Sequence, residues 1–234
     1  MDQSRNVAEE SSHRKAAFLK EPSRFPNLAA AGRALAPQLN PYRADGDCIV
    51  LGIALAGIPA AREVAAYLDA PLDLVIVRRL LASHGPGSQS CAVNVAGSTV
   101  LDVEIIPPSA PSSPLEYFIA DALAELSRRE QICRGGRPPI ALTARTVILV
   151  DCGIRTGSTM AAAARSLRKL QPKQIVGAVP VASTEGLAAV GDLFDELVCL
   201  GRPEQFVNAG FWYEDFGRPN DEEVGALFSR LSPA

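Results

Sequence analysis

Residues 146–159, with the sequence TVILVDCGIRTGST, constrain the fold more than any other stretch of this chain. Residues 147–150 form a short, uninterrupted apolar run, which is typical of a central parallel strand buried on both faces. The run ends at Asp151, and a turn rich in glycine and hydroxyl side chains leads into the alanine-rich residues 160–170. The pattern predicts a buried strand, a tight loop and a helix in immediate succession.

A loop of this kind is suited to binding a phosphate group. Glycines let backbone N–H groups point inward, and the free N–H groups in the first turn of a helix favour an anion. An acid at the strand end, here Asp151, can accept hydrogen bonds from sugar hydroxyls. We therefore predict a site that holds a ribose 5-phosphate by its two ends. The predicted phosphate contacts are Gly153, Ile154, Arg155, Thr156, Gly157, Ser158 and Thr159.

The spacing of the loop residues argues against other phosphate-binding loops. A Walker A loop requires lysine after its glycine, whereas Ser158 follows Gly157. A Rossmann GxGxxG pattern is absent, since Gly153 and Gly157 lie four residues apart. A phosphatase loop would place arginine six residues after Cys152, where the chain has Ser158. An ordinary strand-to-helix turn also contains glycine and hydroxyl residues, but the ordered apolar run, acid and full small-residue loop favour a phosphate site.

Composition excludes several classes of protein. The chain has 234 residues, 47% of them hydrophobic and 21% charged, which suits a globular protein with a sizeable core. A net charge of −3 gives no reason to expect nucleic acid as a partner. The five cysteines are widely spaced without a CxxC pair, which favours reduced thiols over disulfides or a zinc site. With no long apolar run, we expect no membrane partner and a cytoplasmic location.

Predicted strands and helices alternate along most of the chain. We place strands at residues 48–53, 72–77, 147–150, 174–182 and 197–200, and helices at 28–39, 58–68, 160–170, 184–190 and 223–231. Helical connections between strands indicate parallel, right-handed βαβ units. The predicted fold class is α/β, with a mostly parallel central sheet and helices on both faces.

Residues 84–140 interrupt this alternation. Glycine and proline punctuate alternating valines, which predicts a short antiparallel hairpin, and a proline-rich connector, a helix and a basic loop at 134–139 follow. We interpret this insert as a small β-hairpin and helix flap or hood on a single domain that spans residues 22–234. Residues 1–21 are predicted to be a polar tail.

The stretch that begins at residue 147 resembles the signature of the type I phosphoribosyltransferases. Their motif is four apolar residues, two acids and a loop of the form Gly-Ile-Ala-Thr-Gly-x-Thr. In that family the acids hold the ribose hydroxyls of phosphoribosyl pyrophosphate, and the loop wraps the 5-phosphate. Nearly the whole chain is similar to one bacterial branch, the predicted phosphoribosyltransferases of unassigned substrate. Cys152 stands where the family has its second acid, and Arg155 stands in place of the loop alanine.

The resemblance implies a reaction and its partners. A phosphoribosyl group would pass from phosphoribosyl pyrophosphate to a nitrogen nucleophile, for which a nucleobase is one candidate; a nucleoside monophosphate would bind at the same site. Mg²⁺ is the implied cofactor, carried by the substrate rather than by direct protein ligands. Asp151 and Cys152 occupy the positions that the family uses to hold ribose. Homodimers, which are frequent in the family, are the implied assembly.

Three arginines are candidates for stabilising the departing pyrophosphate. Ligands of open parallel sheets bind at the carboxyl ends of strands, and Arg78 and Arg79 follow such an end. The resembling branch carries an Arg-Lys pair there; a solvated basic pair is the alternative. Arg134 matches an Arg-Gly-Gly loop of the branch and is our candidate for the cation of a flexible lid, with the glycines as hinges. The alternative is a surface linker.

The resemblance also points to a pyrophosphate loop in the turn that follows residues 48–53. The branch has Pro-Arg-Gly-Gly there, and this chain has Ala54, Leu55, Ala56 and Gly57. The N–H groups of Ala56 and Gly57 remain candidates for phosphate contacts, but the arginine is missing. A hydrogen bond to a charged group, worth roughly 1.5–3 kcal/mol, is thereby lost.

Two further features are suggested by the resemblance. Phe206 and Trp212 lie in an aromatic stretch similar to one from which some relatives stack a ring on a nucleobase; a place in the core is the alternative. Cys152 is either a reactive thiol, favoured by anion-binding amides, or a small half-buried residue. Together with the missing arginine, it raises a second hypothesis: a weak or inactive homologue that binds nucleotides or regulates. A cysteine-dependent activity is a third.

Overall fold

The computed structural model describes residues 23–80, 90–95, 98–103 and 112–230, and the predicted tail at 1–21 lies outside them. The strands are β1 Phe25–Asn27, β2 Cys48–Ala54, β3 Leu72–Leu80, β4 Ser90–Val95, β5 Ser98–Val103, β6 Thr146–Val150, β7 Gln174–Val181, β8 Glu196–Gly201 and β9 Tyr213–Asp215. The helices are α1 Leu28–Leu35, α2 Gly57–Leu68, α3 Ser112–Arg134, α4 Ser158–Arg168, α5 Thr184–Val190 and α6 Asp221–Ser229. Short 3-10 turns occur at Ala36–Tyr42, Gly191–Leu193 and Ala209–Trp212.

A seven-stranded sheet organises the domain, with the strand order β5-β4-β3-β2-β6-β7-β8. The five strands from β3 to β8 are parallel, which confirms the predicted α/β class. The chain leaves β2 toward β3 and returns to the other side of β2 as β6. This reversal of strand order is a topological switch point, where ligands of open α/β sheets bind. The loops that follow β2 and β6 therefore meet at the centre of one sheet edge.

Both faces of the sheet are covered by helices, as predicted. One hydrophobic core joins alternate strand residues such as Val50 and Ile148 to α1, α2, α3 and α6. A second core joins the intervening residues, such as Leu51 and Leu149, to α4 and α5. All five residues of β6 are buried, because neighbouring strands cover both of its edges and helices cover both of its faces. The uninterrupted apolar run is thus explained by double-sided burial.

The hairpin predicted within residues 84–140 is present and belongs to the main sheet. β4 pairs antiparallel with β3, and β5 pairs antiparallel with β4, so the hairpin extends one edge of the sheet. Helix α3 packs against α6 and against β3 and β4. The proline-rich connector predicted before α3 lies largely outside the described residues. Within the described residues, no helix combines the length and the apolar character needed to cross a bilayer.

Arg134 does not belong to a lid, so this prediction is wrong. It is the last residue of α3, and only 6% of its surface is exposed. Its guanidinium donates to Asp73 at 2.7 Å and to Glu130 at 2.7 Å, and Asn94 donates to Glu130 at 2.7 Å. The backbone N–H of Ile140 donates to the second oxygen of Asp73 at 2.9 Å. Arg134 is thus the cation of a buried structural cluster.

The buried cluster lies where the chain crosses from one face of the sheet to the other. Leu126 of α3 packs in the first core and Leu142 in the second, so the intervening chain passes around the edge of the sheet. The glycines make the reversal at the end of α3 rather than act as hinges: Gly135 has φ +56° and Gly136 φ +85°. A Cβ on Gly135 would lie 2.8 Å from the carbonyl oxygen of Gly225 in α6. The start of the predicted mobile basic loop is therefore the packed end of α3, while Gly136 beyond it meets no neighbour within 4 Å.

Replacing Arg134 tests this structural assignment. We expect Arg134→Met to lower the free energy of unfolding by about 3 kcal/mol or more, because it leaves the buried carboxylates of Asp73 and Glu130 without their cation. The control is Arg128→Met, which removes an ion pair to Glu125 from a side chain that is 58% exposed and should cost less than about 1 kcal/mol. Urea denaturation measures both changes. Equal small losses would contradict the buried cluster.

Candidate active site at the carboxyl ends of the central strands

The candidate site lies where the turn after β2 meets the loop after β6. Gly52 of β2 pairs with Val150, the last residue of β6, and β2 ends two residues later at Ala54, so the two strands end close together at one edge of the sheet. A Cβ on Gly57 would lie 2.7 Å from the carbonyl oxygen of Val150 and 3.2 Å from Cα of Asp151. Glycine is needed at position 57 because α2 begins in direct contact with the end of β6. The predicted pyrophosphate turn is consequently adjacent to Asp151.

The loop after β6 forms a pocket of about 120 Å³. Its lining includes Asp151, Met160 and all seven of the predicted phosphate contacts: Gly153, Ile154, Arg155, Thr156, Gly157, Ser158 and Thr159. Across the described ranges, the backbone N–H groups of residues 155–159 have no backbone acceptor. Ser158 begins α4, so these amides include the free donors of a helix N-terminus. The arrangement is suited to an anion with several oxygens, such as a phosphate.

The start of the loop is anchored by hydrogen bonds to neighbouring elements. The N–H of Ile154 donates to Val181 at 3.0 Å, and the N–H of Ser183 donates to Ile154 at 2.8 Å. The Ser183 hydroxyl also donates to the carbonyl of Arg155, while it accepts from Gly186 at 2.8 Å. These bonds tie the first part of the loop to β7 and α5. The N–H groups of residues 155–159 can stay without a backbone acceptor because the chain is held elsewhere.

Gly157 sets the direction of the loop into α4. It has φ +81°, a left-handed conformation that side chains other than glycine rarely adopt. A Cβ at this position would also lie 2.5 Å from Cγ1 of Val190. Both constraints require glycine, so the small-residue pattern read from the sequence has a direct backbone cause.

Asp151 lines the same pocket and is held in place by its neighbour. The N–H of Cys152 donates to Oδ1 of Asp151 at 2.7 Å. Burial raises the pKa of Asp151 from 3.8 to about 6, although hydrogen bonds from Cys152 and the charge of Arg218 oppose that shift. The carboxylate is therefore mainly ionised at neutral pH and able to accept hydrogen bonds from sugar hydroxyls.

Cys152 lies behind Asp151 and not at the surface. Its side chain is 8% exposed and packs in a third apolar cluster with Ala56, Val181 and Trp212. Burial, followed by the charge of Asp151, raises the pKa of the thiol well above its ordinary value. The hypothesis of a reactive thiolate at Cys152 is wrong, because a nucleophilic thiolate needs a lowered pKa and access. Asp151 lines the pocket, whereas the Cys152 side chain packs in the apolar cluster.

Aromatic residues near the C-terminus belong to the same third cluster and contact the site. The hydroxyl of Tyr213 donates to the carbonyl of Cys152 at 2.6 Å, a contact that sequence reasoning missed. Trp212 is only 6% exposed and packs in the third cluster, so its prediction as a base-stacking residue is wrong. Phe206 is half-buried against that cluster and stays a prediction. Phe211, which is 52% exposed, is the more accessible ring of this stretch.

A second, larger groove of about 670 Å³ adjoins the turn after β2. It is lined by Leu55, Arg78, Asp121, Glu125, Arg129, Arg218, Asn220, Asp221 and Glu222. The structure thus brings Arg78 to the predicted turn, where it lies 3.7 Å from Asp121 with 38% of its side chain exposed. The side chain of Arg79 lies outside the described residues, so its role stays a prediction. In the described part of the chain, the N–H groups of Ala56 and Gly57 have no backbone acceptor.

Arg218 is a candidate that the sequence analysis missed. It is exposed, lines the groove beside Leu55, and its charge lowers the pKa of Asp151. One sequence signal was available, since Arg218 is the only base between the aromatic stretch and the end of α6. No motif assigns a role to that position.

No set of three or more potential metal-ligating side chains occurs among residues 23–80, 90–95, 98–103 and 112–230. Asp151 is the carboxylate at the phosphate pocket. Magnesium is commonly held by one or two carboxylates together with substrate phosphates and water. Asp151 could therefore supply one protein ligand to a Mg²⁺ ion whose other ligands are phosphate oxygens and water.

A parallel sheet whose switch point carries an acid, an open phosphate loop and a facing turn defines a phosphoribosyltransferase-type domain. The model of the phosphoribosyl transferase domain family matches residues 23–210, and the chain belongs to this family.

Two curated relatives and one solved structure extend the comparison. The relatives are Mycobacterium tuberculosis proteins, from strains CDC 1551 / Oshkosh and H37Rv, each named "putative phosphoribosyl transferase" and 34% identical over 207 residues. That alignment covers 88% of this chain but 46% of each relative, so the chain spans about half of their length. The crystal structure of TT1426 from Thermus thermophilus is 35% identical and has a TM-score of 0.72. The alignment covers 88% of this chain and 97% of the TT1426 chain.

The raised pKa of Asp151 predicts a pH-dependent effect on stability. Because the folded-state pKa of about 6 exceeds the ordinary 3.8, ionisation costs folding free energy as pH rises from about 4 through 6. We expect Asp151→Asn to increase the free energy of unfolding at pH 7.5 by up to about 3 kcal/mol, with a gain that shrinks toward pH 4.

Urea denaturation at several pH values measures this gain. The control is Asp192→Asn, which neutralises an exposed aspartate in the turn after α5. A gain that does not depend on pH, or one that the control reproduces, would show that Asp151 ionises without cost in the folded protein.

Proposed function

We propose that this protein binds phosphoribosyl pyrophosphate with Mg²⁺ and transfers the phosphoribosyl group to a nitrogen nucleophile, with a nucleobase as one candidate. The observation that carries the proposal is the row of uncommitted amides at residues 155–159 beside the Asp151 carboxylate. A phosphate and a hydroxyl-bearing sugar match these two features in the order that the loop presents them. The turn at Ala56 and Gly57, with Arg78, then lies on the side where a diphosphate would extend.

The proposed reaction exchanges one bond at C1 of the ribose for another. The bond to pyrophosphate breaks, its electron pair leaves with the diphosphate, the nucleophile's lone pair forms the new C1–N bond, and the proton that this nitrogen releases passes to the solvent. Positive charge develops on the ribose in the transition state, so the protein's task is to position groups and stabilise charge. Asp151 holds the sugar hydroxyls, the loop amides hold the 5-phosphate, and the amides of Ala56 and Gly57 with Arg78 bind the leaving group.

The magnesium ion would enter with the substrate and add positive charge against the departing diphosphate. Asp151 is the residue placed to help hold it. Above pH 6 Asp151 is mainly ionised, whereas below pH 6 protonation removes its negative charge. The protein's own contribution to binding should therefore weaken in acid.

A second candidate function is a nucleotide-binding or regulatory protein that keeps the phosphate loop without turnover. Cys152 leaves the site with one acid at the ribose position, and its side chain is buried away from the ligand. Leu55 leaves the turn after β2 without a cation of its own. Arg134, the arginine predicted for a lid, pairs with Asp73 and Glu130 and adds no positive charge to the site.

Isothermal titration with ribose 5-phosphate tests the phosphate loop. The wild-type protein should bind, and Gly157→Ala should weaken binding at least tenfold, because a side chain at φ +81° forces the loop to move. Gly191→Ala is the matched control, since a Cβ there meets nothing within 4 Å and the residue already has φ −51°. Circular dichroism confirms folding of each variant. Failure of the wild type to bind millimolar ribose 5-phosphate would exclude the proposed function.

Pyrophosphate release separates the two candidate functions. The wild type is incubated with Mg²⁺, phosphoribosyl pyrophosphate and a panel of nucleobases at pH 8, where Asp151 is ionised. Release that depends on one base supports transfer and names the acceptor. Binding of phosphoribosyl pyrophosphate without release under any acceptor supports the regulatory function instead.

A further inference from the structure

The turn after β2 lies at the groove yet contributes no positive charge to it. Leu55 occupies the position of the arginine in the branch that this sequence resembles, and it lines the groove while packing partly against the first core. Ala56 is buried in the third cluster, so the turn offers amides but no cationic side chain. The positive charge that the protein supplies to a diphosphate there must therefore come from side chains outside this turn.

Arg218 enters the same groove from a different part of the chain. It lies between β9 and α6, and its backbone position is fixed from both sides. The N–H of Gly217 donates to Asp215 at 2.9 Å, and Asn220 caps α6 in a reciprocal pair of hydrogen bonds with Glu223. The guanidinium is therefore delivered to the groove by an ordered segment.

Arg218 differs from the other two arginines that line this groove. Arg78 pairs with Asp121 at 3.7 Å, and Arg129 makes a two-pronged contact with Asp221 whose closest distance is 2.8 Å. Within the part of the chain that the structure describes, Arg218 makes no ion pair shorter than 4 Å. Among the described residues its charge is therefore not shared with a nearby carboxylate, whereas Arg78 shares its charge with the exposed Asp121. An arginine is also suited to diphosphate, because its planar fork can bind two oxygens at once.

The position of Arg218 links the groove to the phosphate-loop pocket. It shares the groove with Leu55, whose neighbours Ala56 and Gly57 abut the end of β6. Its positive charge also acts on Asp151 and Cys152 and lowers the pKa of both. Arg218 thus lines the groove beside the turn that would hold the leaving group and is near enough for its charge to act on the acid that would hold the ribose.

We propose that Arg218 is a pyrophosphate-binding residue that supplies, from the segment before α6, the cation that the turn after β2 lacks. This inference rests on the proposed function, because it names a contact for the same substrate. It assigns a role to a residue outside the phosphate loop and outside the region matched by the family model, which ends at residue 210.

Three ligands separate this contact from the others: phosphoribosyl pyrophosphate, inorganic pyrophosphate and ribose 5-phosphate, each titrated with Mg²⁺ at pH 8. Arg218→Gln should weaken the two diphosphate ligands about tenfold and leave ribose 5-phosphate within about twofold, as expected for one lost charged hydrogen bond. Arg218→Lys should show an intermediate loss, since it keeps charge without the fork. Arg230→Gln is the charge-matched control, because Arg230 is exposed at the far end of α6.

A double variant tests whether a positive charge in the turn after β2 can replace that of Arg218. In the Arg218→Gln background, Leu55→Arg should recover most of the lost affinity for phosphoribosyl pyrophosphate, because both side chains face the same groove. Recovery by a second substitution also shows that Arg218→Gln did not simply misfold the protein.

The outcomes that would overturn the proposal are distinct. If the wild type binds ribose 5-phosphate but Arg218→Gln leaves diphosphate affinity unchanged, Arg218 does not contact the diphosphate and only this inference fails. If the variant loses ribose 5-phosphate and diphosphate equally, Arg218 acts through Asp151 and the inference again fails. If the wild type binds none of the ligands, the proposed function fails and takes this inference with it.

Discussion

The site depends on a division of hydrogen bonds within one short loop. Residues at its start are bonded to β7 and to the residue before α5, through Ile154, Val181 and Ser183. The amides that follow, at residues 155–159, have no backbone acceptor in the described part of the chain. Free backbone donors are tolerable at a helix N-terminus that opens to solvent or to an anion. The loop can therefore be rigid before a ligand arrives, so little ordering entropy is lost on binding.

The charge of Asp151, the acid at the strand end, lowers the free energy of unfolding. Asp151 is held beside a buried strand, and its raised pKa shows that the folded protein disfavours its charge. A second carboxylate at the nearly buried position 152 would add like-charge repulsion to that desolvation. Cys152 avoids the repulsion, and its backbone N–H still donates to Asp151 at 2.7 Å. With a thiol at position 152 the site has one carboxylate fewer for a ribose contact, but the remaining carboxylate, Asp151, ionises at a lower cost.

The sequence predicted the parts of this protein that local chemistry determines. The buried strand, Asp151, the glycine turn and α4 follow one another within 23 residues, 146–168, and Thr184–Val190 is a helix as predicted. The prediction for Arg134 is wrong because its partner Asp73 lies 61 residues away in sequence. The Gly-Gly pair indicates a hinge in the sequence alone, and only the fold shows that Gly225 of α6 packs against Gly135. Trp212 was misassigned for a similar reason, since its cluster draws on α1, β7 and the turn after β2. Burial of a lone side chain depends on contacts that no local pattern records.

The same distinction explains why cations are harder to locate than the phosphate loop. Backbone amides are present whatever the side chain, so a phosphate site built from them survives substitutions that preserve loop geometry. A guanidinium on a long, flexible stem can reach one point in a groove from several places on the surrounding chain. The groove beside Leu55 is lined by arginines from β3, from α3 and from the segment before α6. Loss of an arginine from one element therefore does not imply loss of positive charge from the site; what matters is whether a neighbouring cation is free of an internal partner, as Arg218 is among the described residues.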